Sequence, residues 1–348
     1  MILGNTLDDQ ERRAWTTPVL IFLVLLLMTA LSSFAAPAFQ RTATEMLVML
    51  TVVIGLQIFV GNSGIFSFGH VGFMSAGAYI SAILTIAPAK KAATLALPSF
   101  LAGLQLPWPV AMAIAVAVTG LLAFVLLLPL VRLRGIAFPM ATFALLVIEH
   151  VIAMNWTGVT GGRQALVGLP RYTNLWTALA VAGLALAVAT WYSQLRHGLA
   201  LRCSRENEVA AAATGIDIGR ERLFAFVISA MVCAAGGVLF AHFVGTMTAG
   251  TFYLEMTFVT LAMLVVGGMR GLTGACIGVV LVSVVSELFR SLERGVDLAG
   301  FTVKAVPGLQ EIVLSIVLLA ILITRPNGLA GDWELTSAVL QKRKRKET

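Results

Sequence analysis

The sequence predicts an all-α polytopic membrane protein with about ten transmembrane helices (8 to 10), some of them broken or re-entrant, and one helix outside the bilayer. Hydrophobic residues make up 59% of the 348 residues and charged residues 12%, a composition unusual for a water-soluble domain. The apolar residues occur in stretches close to the ~20 residues that a membrane-spanning helix needs. One dense polar segment, residues 195–222, interrupts them.

Ten apolar stretches are candidate spans. In chain order they are residues 18–36, 42–60, 68–87, 110–131, 136–155, 174–193, 223–244, 256–268, 274–290 and 308–324. We expect the first helix to begin at Thr17 and Pro18, because proline is favoured in the first turn. The eighth stretch is short and could be re-entrant or broken. The chain therefore divides into an N-terminal segment (1–17), a transmembrane domain (18–324) and a tail (325–348).

The first span could also be a cleaved signal peptide. Residues 33–40 contain the small residues of a signal-peptidase site behind an apolar run. The leader, however, mixes acidic and basic residues, and the apolar run has full span length. We therefore expect an uncleaved span.

Lysine and arginine predict the orientation, because cytoplasmic loops are enriched in positive charge. With the N-terminus inside, the inner segments contain sixteen Lys and Arg and the outer segments eight. Both termini and the polar segment are therefore expected in the cytoplasm. The basic run at residues 342–346 could bind nucleic acid, but after a final span it is more typical of an anchor to lipid headgroups. We expect membrane lipid and no nucleic acid as its partner.

Two regions are rich in glycine, residues 61–79 and residues 267–278. Glycine lets helices approach closely, and it also allows a helix to break where protein or a water-lined cavity satisfies the backbone. The two interpretations are tight packing and a lining for a translocation path. The candidate path residues in these regions are Gly61, Gly64, Ser67, Gly69, His70, Gly268 and Gly271.

The polar segment, residues 195–222, predicts a short helix from about residue 206 to 214. Ser204 is expected to cap it, and Glu206 and Glu208 lie near the positive end of its dipole. An alanine run then continues the helix and Gly215 ends it. Such a platform could dock a soluble partner or lie on lipid headgroups. The candidate docking residues are Arg202, Ser204, Arg205, Glu206, Glu208, Ala210, Ala211 and Gly215.

Few ionisable side chains fall within the predicted spans. Glu149 and His150 are adjacent in the outer part of the fifth span, and Thr142 precedes them in the same span. An ionisable group at membrane depth is a candidate for function, so Glu149 joins the candidate path residues. Thr142 joins them as one of the polar residues along an otherwise apolar passage, with Ser67, Ser75, Asn155 and Thr160. Glu149 also supports an alternative of another class, an ion-coupled secondary transporter with a proton or sodium site.

The residues indicate no catalytic site and no metal site, because the four histidines are dispersed without paired ligand spacing. The chain contains no G-x-x-x-x-G-K-[S/T] phosphate-binding motif. We therefore expect no cofactor bound by this chain. A purely structural membrane scaffold is compatible with the composition.

Four motifs occur in order along the chain. Residues 61–79 fit G-x-x-G-x-x-S-x-G-H-x-x-F followed by G-A-Y, and residues 133–162 contain L-R-G, N-W and T-G-G. Residues 198–216 fit G-x-A-L-R and R-E-x-E-x-A-A-x-A-x-G-I, and residues 325–329 fit R-P-x-G-L. With these motifs the sequence resembles the LivM branch of the permease subunits of bacterial branched-chain amino acid ABC transporters.

The resemblance implies a non-enzymatic permease subunit that forms the path for branched-chain or hydrophobic amino acids. It implies a multi-pass location in the bacterial inner membrane. The implied partners are a second, LivH-like permease subunit, two ABC ATPase subunits that use ATP and Mg, and an extracytoplasmic solute-binding protein. The polar segment would contain the ATPase-coupling helix, and Thr160, Gly161 and Gly162 could contact the binding protein.

Two positions depart from the family pattern. The acidic residue expected five places after Thr142 is Val147 here, and Glu149 follows two residues later. The Ser-Pro expected after the seventh span is Thr248 and Ala249. Permeases for urea or short amides share the same framework, so they stay an alternative for the solute.

Overall fold

The computed structural model describes residues 2–293, 297–298, 301–302, 309–325 and 328–331. Within these residues almost all regular structure is helical, which confirms the all-α prediction. The α-helices are α1 (Ile2–Ser33), α2 (Pro37–Ser63), α3 (His70–Thr85), α4 (Pro88–Thr94), α5 (Ser99–Ala102), α6 (Trp108–Leu127), α7 (Ala137–Asn155), α8 (Thr157–Thr160), α9 (Leu175–Gln194), α10 (Arg196–Glu206), α11 (Glu208–Ala213), α12 (Ile218–Val244), α13 (Leu254–Gly267), α14 (Leu272–Glu293) and α15 (Leu309–Thr324).

Short elements complete the description. Two 3-10 turns lie at Leu130–Arg132 and Ala249–Phe252. The strands β1 (Leu166–Val167) and β2 (Thr246–Met247) pair antiparallel, as do β3 (Asp297–Leu298) and β4 (Phe301–Thr302). The basic run at residues 342–346 lies outside the described residues.

Eight helical stretches among the described residues are long and apolar enough to cross a membrane. They lie in α1, α2, α6, α7, α9, α12, α13 with the 3-10 turn before it, and α14. The apolar helix α3 is shorter, with 16 residues, and α15 also has 16. The chain is thus a multi-pass membrane protein, within the predicted range of eight to ten spans.

One predicted boundary is wrong. The first helix begins at Ile2 and contains Pro18 in its interior, because a membrane helix tolerates a proline whose freed backbone group is satisfied locally. Within the glycine-rich residues 61–79, only residues 64–69 leave the helical conformation, and α3 is continuous from His70. We call residues 64–69 the junction segment.

The chain divides into two compact units, a central unit of residues 47–260 and a terminal unit of residues 1–46 with 261–348. The core of the central unit lies where α12 packs along α3 and α6. Glycines allow this approach: a Cβ at Gly77 would lie 2.7 Å from the Ala234 carbonyl oxygen, and one at Gly237 would overlap the Met74 carbonyl. Close backbone contact thus holds the core together.

The two ends of the central unit are built differently. At one end, β1 pairs with β2 and joins the connection after α8 to the end of α12. At the other end, the junction segment lies beside α10, which packs on α9 and α12. The polar segment is therefore attached to the helix core through α10.

The terminal unit has its own glycine packing. Backbone groups of Gly267, Gly274 and Gly278 lie directly against one another where α13 meets α14. The described residues after α15 pack against the end of α13, because the Leu329 amide donates to the Val266 carbonyl oxygen at 2.8 Å. Arg290 lies 3.5 Å from carboxylate oxygens of both Glu45 and Glu287.

Candidate functional site

The polar segment contains two helices where one was predicted. α10 runs from Arg196 to Glu206, and α11 follows it from Glu208 to Ala213. The prediction that Ser204 caps the second helix is wrong: its hydroxyl donates to the Leu201 carbonyl inside α10. Asn207 caps α11 instead, since its side-chain oxygen accepts from the Ala210 amide at 3.0 Å.

Gly215 ends α11, as its sequence position predicted. Its φ of 87° lies in the left-handed region, which favours glycine. The Gly215 amide donates to the Ala212 carbonyl and the Ile216 amide to the Ala211 carbonyl, at 3.0 and 3.2 Å. These two bonds form a Schellman motif, which satisfies the last carbonyls of the helix.

α11 presents a surface of small, apolar side chains. Ala211 is buried, whereas Ala210, Ala212 and Ala213 are exposed. Val209 is 81% exposed, and this apolar side chain was not among the predicted docking residues. Val209 lies two residues before the buried Ala211, so on an α-helix it faces the opposite side.

Ion pairs and a hydrogen bond hold the polar segment against the end of α9 and the start of α12. Arg222 at the start of α12 pairs with Glu208 of α11. Glu221 accepts from His197 of α10 at 2.8 Å when that nitrogen carries the proton. Arg202 donates to the Ser193 carbonyl at the end of α9. The two short helices are therefore held by the spans on either side of them.

Arg205 joins the polar segment to the junction segment. Its Nη1 donates to the Gly61 carbonyl oxygen at 2.7 Å. Its side chain lies over Gly64, where an added Cβ would be 2.6 Å from the arginine Cγ and where φ is 71°. Arg205 also pairs with Glu206 at 3.0 Å. The sequence placed these groups 144 residues apart and gave no indication of this contact.

The junction segment also contacts α7. The Phe68 amide donates to the Thr142 hydroxyl at 3.2 Å, and that hydroxyl donates to the Pro139 carbonyl at 2.8 Å. A Cβ at Gly69 would lie 2.9 Å from the Thr142 carbonyl oxygen. Thr142 is fully buried, so Gly69 and Thr142 form a close crossing of backbone on backbone.

His70 lies in an aromatic core. It is 1% exposed, its Nδ1 and the Ser67 hydroxyl share a hydrogen bond of 2.9 Å, and its ring centroid is 4.3 Å from that of Phe226. Its Nε2 is buried without a hydrogen-bond partner. The Ser67 and His70 pair closes the end of the junction segment, and a role for either in a path stays a prediction.

Glu149 faces α3. Its Oε1 accepts from the Ser75 hydroxyl at 2.6 Å, and its Cβ and Cγ lie at contact distance from the place of a Cβ on Gly72. Its neighbour His150 points elsewhere: its ring stacks on Tyr253 with centroids 3.9 Å apart. Tyr253 was not among the predicted site residues, and Ser75 was predicted only as a polar residue along the apolar passage.

The other predicted path residues, Gly268 and Gly271, lie in the terminal unit. Gly268 has a φ of 118°, and its backbone lies 2.6 Å from the place of a Cβ on Gly328. Gly271 accepts from the Ala275 amide at the start of α14. Gly268 therefore lies in a tightly packed turn.

Thr160, Gly161 and Gly162 form the predicted turn. Both glycines have positive φ, 79° and 63°, and the Gly162 amide donates to the Thr160 hydroxyl at 3.2 Å. A cavity of about 430 Å³ adjoins the turn, and its lining includes Asn155 and Arg163. Contact with a binding protein stays a prediction.

No three His, Cys, Asp or Glu side chains gather into a potential metal site in the part of the chain that the structure describes. This finding does not test whether a cofactor binds. The absence of a cofactor stays a prediction.

Comparisons of the sequence with known proteins show which proteins the chain is similar to. A family profile described as "Branched-chain amino acid transport system / permease component" matches residues 38–322. The Escherichia coli "High-affinity branched-chain amino acid transport system permease protein LivM" is 26% identical over 313 residues, covering 79% of this chain and 69% of that protein. The Salmonella typhimurium protein of the same name is 26% identical over 286 residues, covering 72% and 64%.

A shorter similarity extends to a second kind of permease. A "Probable branched-chain amino acid transport permease protein LivH" of Methanocaldococcus jannaschii is 30% identical over 148 residues, 42% of this chain and 44% of that protein. The chain spans about two thirds of the length of the LivM relatives that it matches.

Proposed function

The chain belongs to the family of branched-chain amino acid transport system permease components, and from this premise we propose that it forms the translocation path of an ATP-binding-cassette importer. The resemblance inferred from the four motifs is thereby confirmed. Membership supports a transport subunit, and that the chain is not itself an enzyme is part of this proposal. The solute that we propose is a branched-chain or other hydrophobic amino acid, in keeping with the names of the relatives.

The chain would act within a larger assembly. Its partners in this proposal are a second, LivH-like permease subunit, two ABC ATPase subunits and an extracytoplasmic solute-binding protein. The sequence has no phosphate-binding loop of its own, so ATP and Mg would be used by the ATPase subunits. The location would be the bacterial inner membrane, with both termini in the cytoplasm, as the excess of inner Lys and Arg favours.

The hydrogen bond from Arg205 to the Gly61 carbonyl supports ATP-driven coupling most directly. A partner that displaces α10 and α11 would pull on the end of α2 through this bond. The junction segment would follow, because the Arg205 side chain lies on Gly64. Phe68 then contacts Thr142 of α7, so the displacement reaches a second membrane-spanning helix within a few residues.

Transport into proteoliposomes tests the energy source. The complete assembly, with binding protein outside and ATP inside, should accumulate L-leucine, and neither a proton nor a sodium gradient should replace ATP. Uptake driven by an ion gradient alone would contradict the proposal and favour the ion-coupled alternative. ATP-driven uptake of urea or acetamide in place of leucine would still support an ATP-binding-cassette importer, but its solute would be urea or a short amide.

Co-purification tests the docking surface on α11. Val209→Glu places a charge where the exposed valine would meet an ATPase subunit, so retention of the ATPase subunits should fall. Val167→Glu is the matched control, since Val167 is a half-exposed valine in β1 at the other end of the central unit. Equal retention by both variants would contradict docking through α11.

A further inference from the structure

The structure contains an intramembrane carboxylate without a basic partner. Glu149 lies within α7, one of the helices long and apolar enough to span a membrane. Within the described residues no basic side chain forms an ion pair with it, and its hydrogen bond is to the neutral hydroxyl of Ser75. A carboxylate at this depth is costly unless a positive charge or a proton compensates it.

The carboxylate is directed at α3 by helix geometry. Thr142 and Glu149 are seven residues apart, which is nearly two turns of an α-helix, so both lie on one face. Thr142 contacts the junction segment, and Glu149 contacts Gly72 and Ser75 farther along α3. Since Gly72 has no side chain, the carboxylate stem can lie against the α3 backbone.

A second unsatisfied polar group lies nearby. Tyr79 follows Ser75 by one turn of α3, is 5% exposed, and its hydroxyl is buried without a hydrogen-bond partner. Because Tyr79 is four residues after Ser75, it lies on the face of α3 from which Ser75 donates to Glu149. A buried hydroxyl without a hydrogen-bond partner costs free energy, so a group that pairs with it would be stabilised there. Glu149 itself is only half-buried, so part of its side chain stays exposed beside the buried hydroxyl.

We propose that Glu149, Ser75 and Tyr79 form a binding station for the ammonium group of the translocated amino acid. The ammonium would supply the positive charge that Glu149 lacks, and its N–H groups would donate to the Glu149 carboxylate and the Tyr79 hydroxyl oxygen. Ser75 positions the carboxylate through its own hydrogen bond. This station rests on the proposed function, because it assumes that an amino acid passes along the central unit.

The test measures ATP-driven L-leucine uptake by the reconstituted assembly. Glu149→Gln keeps the shape and removes the charge, so uptake at low leucine concentration should fall about tenfold or more, the loss of one charge-assisted interaction. Glu149→Asp keeps the charge and should retain more uptake than the glutamine variant. Both variants should still assemble with the partner subunits, which separates loss of binding from loss of folding.

The matched control is Glu255→Gln, because Glu255 is an exposed carboxylate in the first turn of α13. It should leave uptake unchanged. Ser75→Ala should reduce uptake less than Glu149→Gln, and Tyr79→Phe removes the unpartnered hydroxyl with little change in packing.

Three outcomes would overturn the station. Wild-type uptake by Glu149→Gln would mean that the charge is not used, since glutamine resembles the protonated acid. Equal loss in the glutamine and aspartate variants together with loss of assembly would assign a packing role. A sodium requirement that disappears in Glu149→Gln would assign the carboxylate to a coupling ion. If wild type accumulates no amino acid at all, the proposed function fails instead.

Discussion

The two glycine-rich regions have similar composition and different structures. In the terminal unit, Gly267, Gly274 and Gly278 place backbone directly on backbone. In the central unit, the two glycines of the junction segment differ: Gly69 meets the backbone of Thr142, whereas the Arg205 side chain lies over Gly64. A high glycine content therefore does not distinguish a close helix crossing from a connection between helices that a neighbouring element can move. The atoms that fill the space beside each glycine make the distinction.

Gly278→Ala should have the largest effect, because an added methyl group would overlap the Met263 carbonyl. Overpacking against rigid backbone costs about 3 kcal/mol. We expect a large loss of monodisperse protein in detergent and a lower unfolding temperature. Gly103→Ala is the control, since nothing lies within 4 Å of its Cβ position; equal stability of the two variants would show that α13 and α14 do not pack as described.

Arg205→Ala should uncouple the assembly and not unfold it. The variant loses a charge-assisted bond to the Gly61 carbonyl, worth about 1.5–3 kcal/mol. ATP-driven uptake should fall about tenfold while ATP hydrolysis persists. Arg220→Ala removes the same charge from an exposed position of the polar segment. If both variants transport equally, Arg205 does not join the polar segment to α2.

Gly64→Ala should have a smaller effect on uptake, a few-fold loss. The left-handed φ of 71° costs an alanine about 1 kcal/mol, and the new methyl group would displace the Arg205 side chain. Measured in an Arg205→Ala background, the loss should shrink, because the displaced side chain is gone. Gly215→Ala has a similar φ of 87° with nothing within 4 Å, so its effect should be additive with Arg205→Ala.

Asn207→Ala should have the smallest effect, loss of about 1 kcal/mol of local stability in α11. Amide hydrogen exchange of residues 208–213 measures it directly. Ser204→Ala is the counterpart, and it should change that protection little because its hydroxyl bonds within α10. Greater exposure of α11 in Ser204→Ala than in Asn207→Ala would restore Ser204 as the cap.

Local chemistry determined much of the polar segment. Gly215 ends α11 because a left-handed residue is needed after the last turn, and glycine adopts it without strain. The turn at Gly161 and Gly162 follows the same rule. Ser204 and Asn207 are both good caps, and the sequence does not choose between them. The choice follows from α10, whose buried face of Gly198, Leu201 and Ser204 packs on its neighbours and keeps Ser204 helical.

The sequence by itself determined that this chain crosses a membrane repeatedly, belongs to a permease family and has one polar platform between two spans. Those properties depend on composition, stretch length and motifs, which are local. Tertiary structure alone decided that Arg205 contacts Gly61, 144 residues away, and that Glu149 contacts Ser75, 74 residues away. Periodicity places Glu149 on one face of α7, but only the packing of α3 against that face decides what the carboxylate meets.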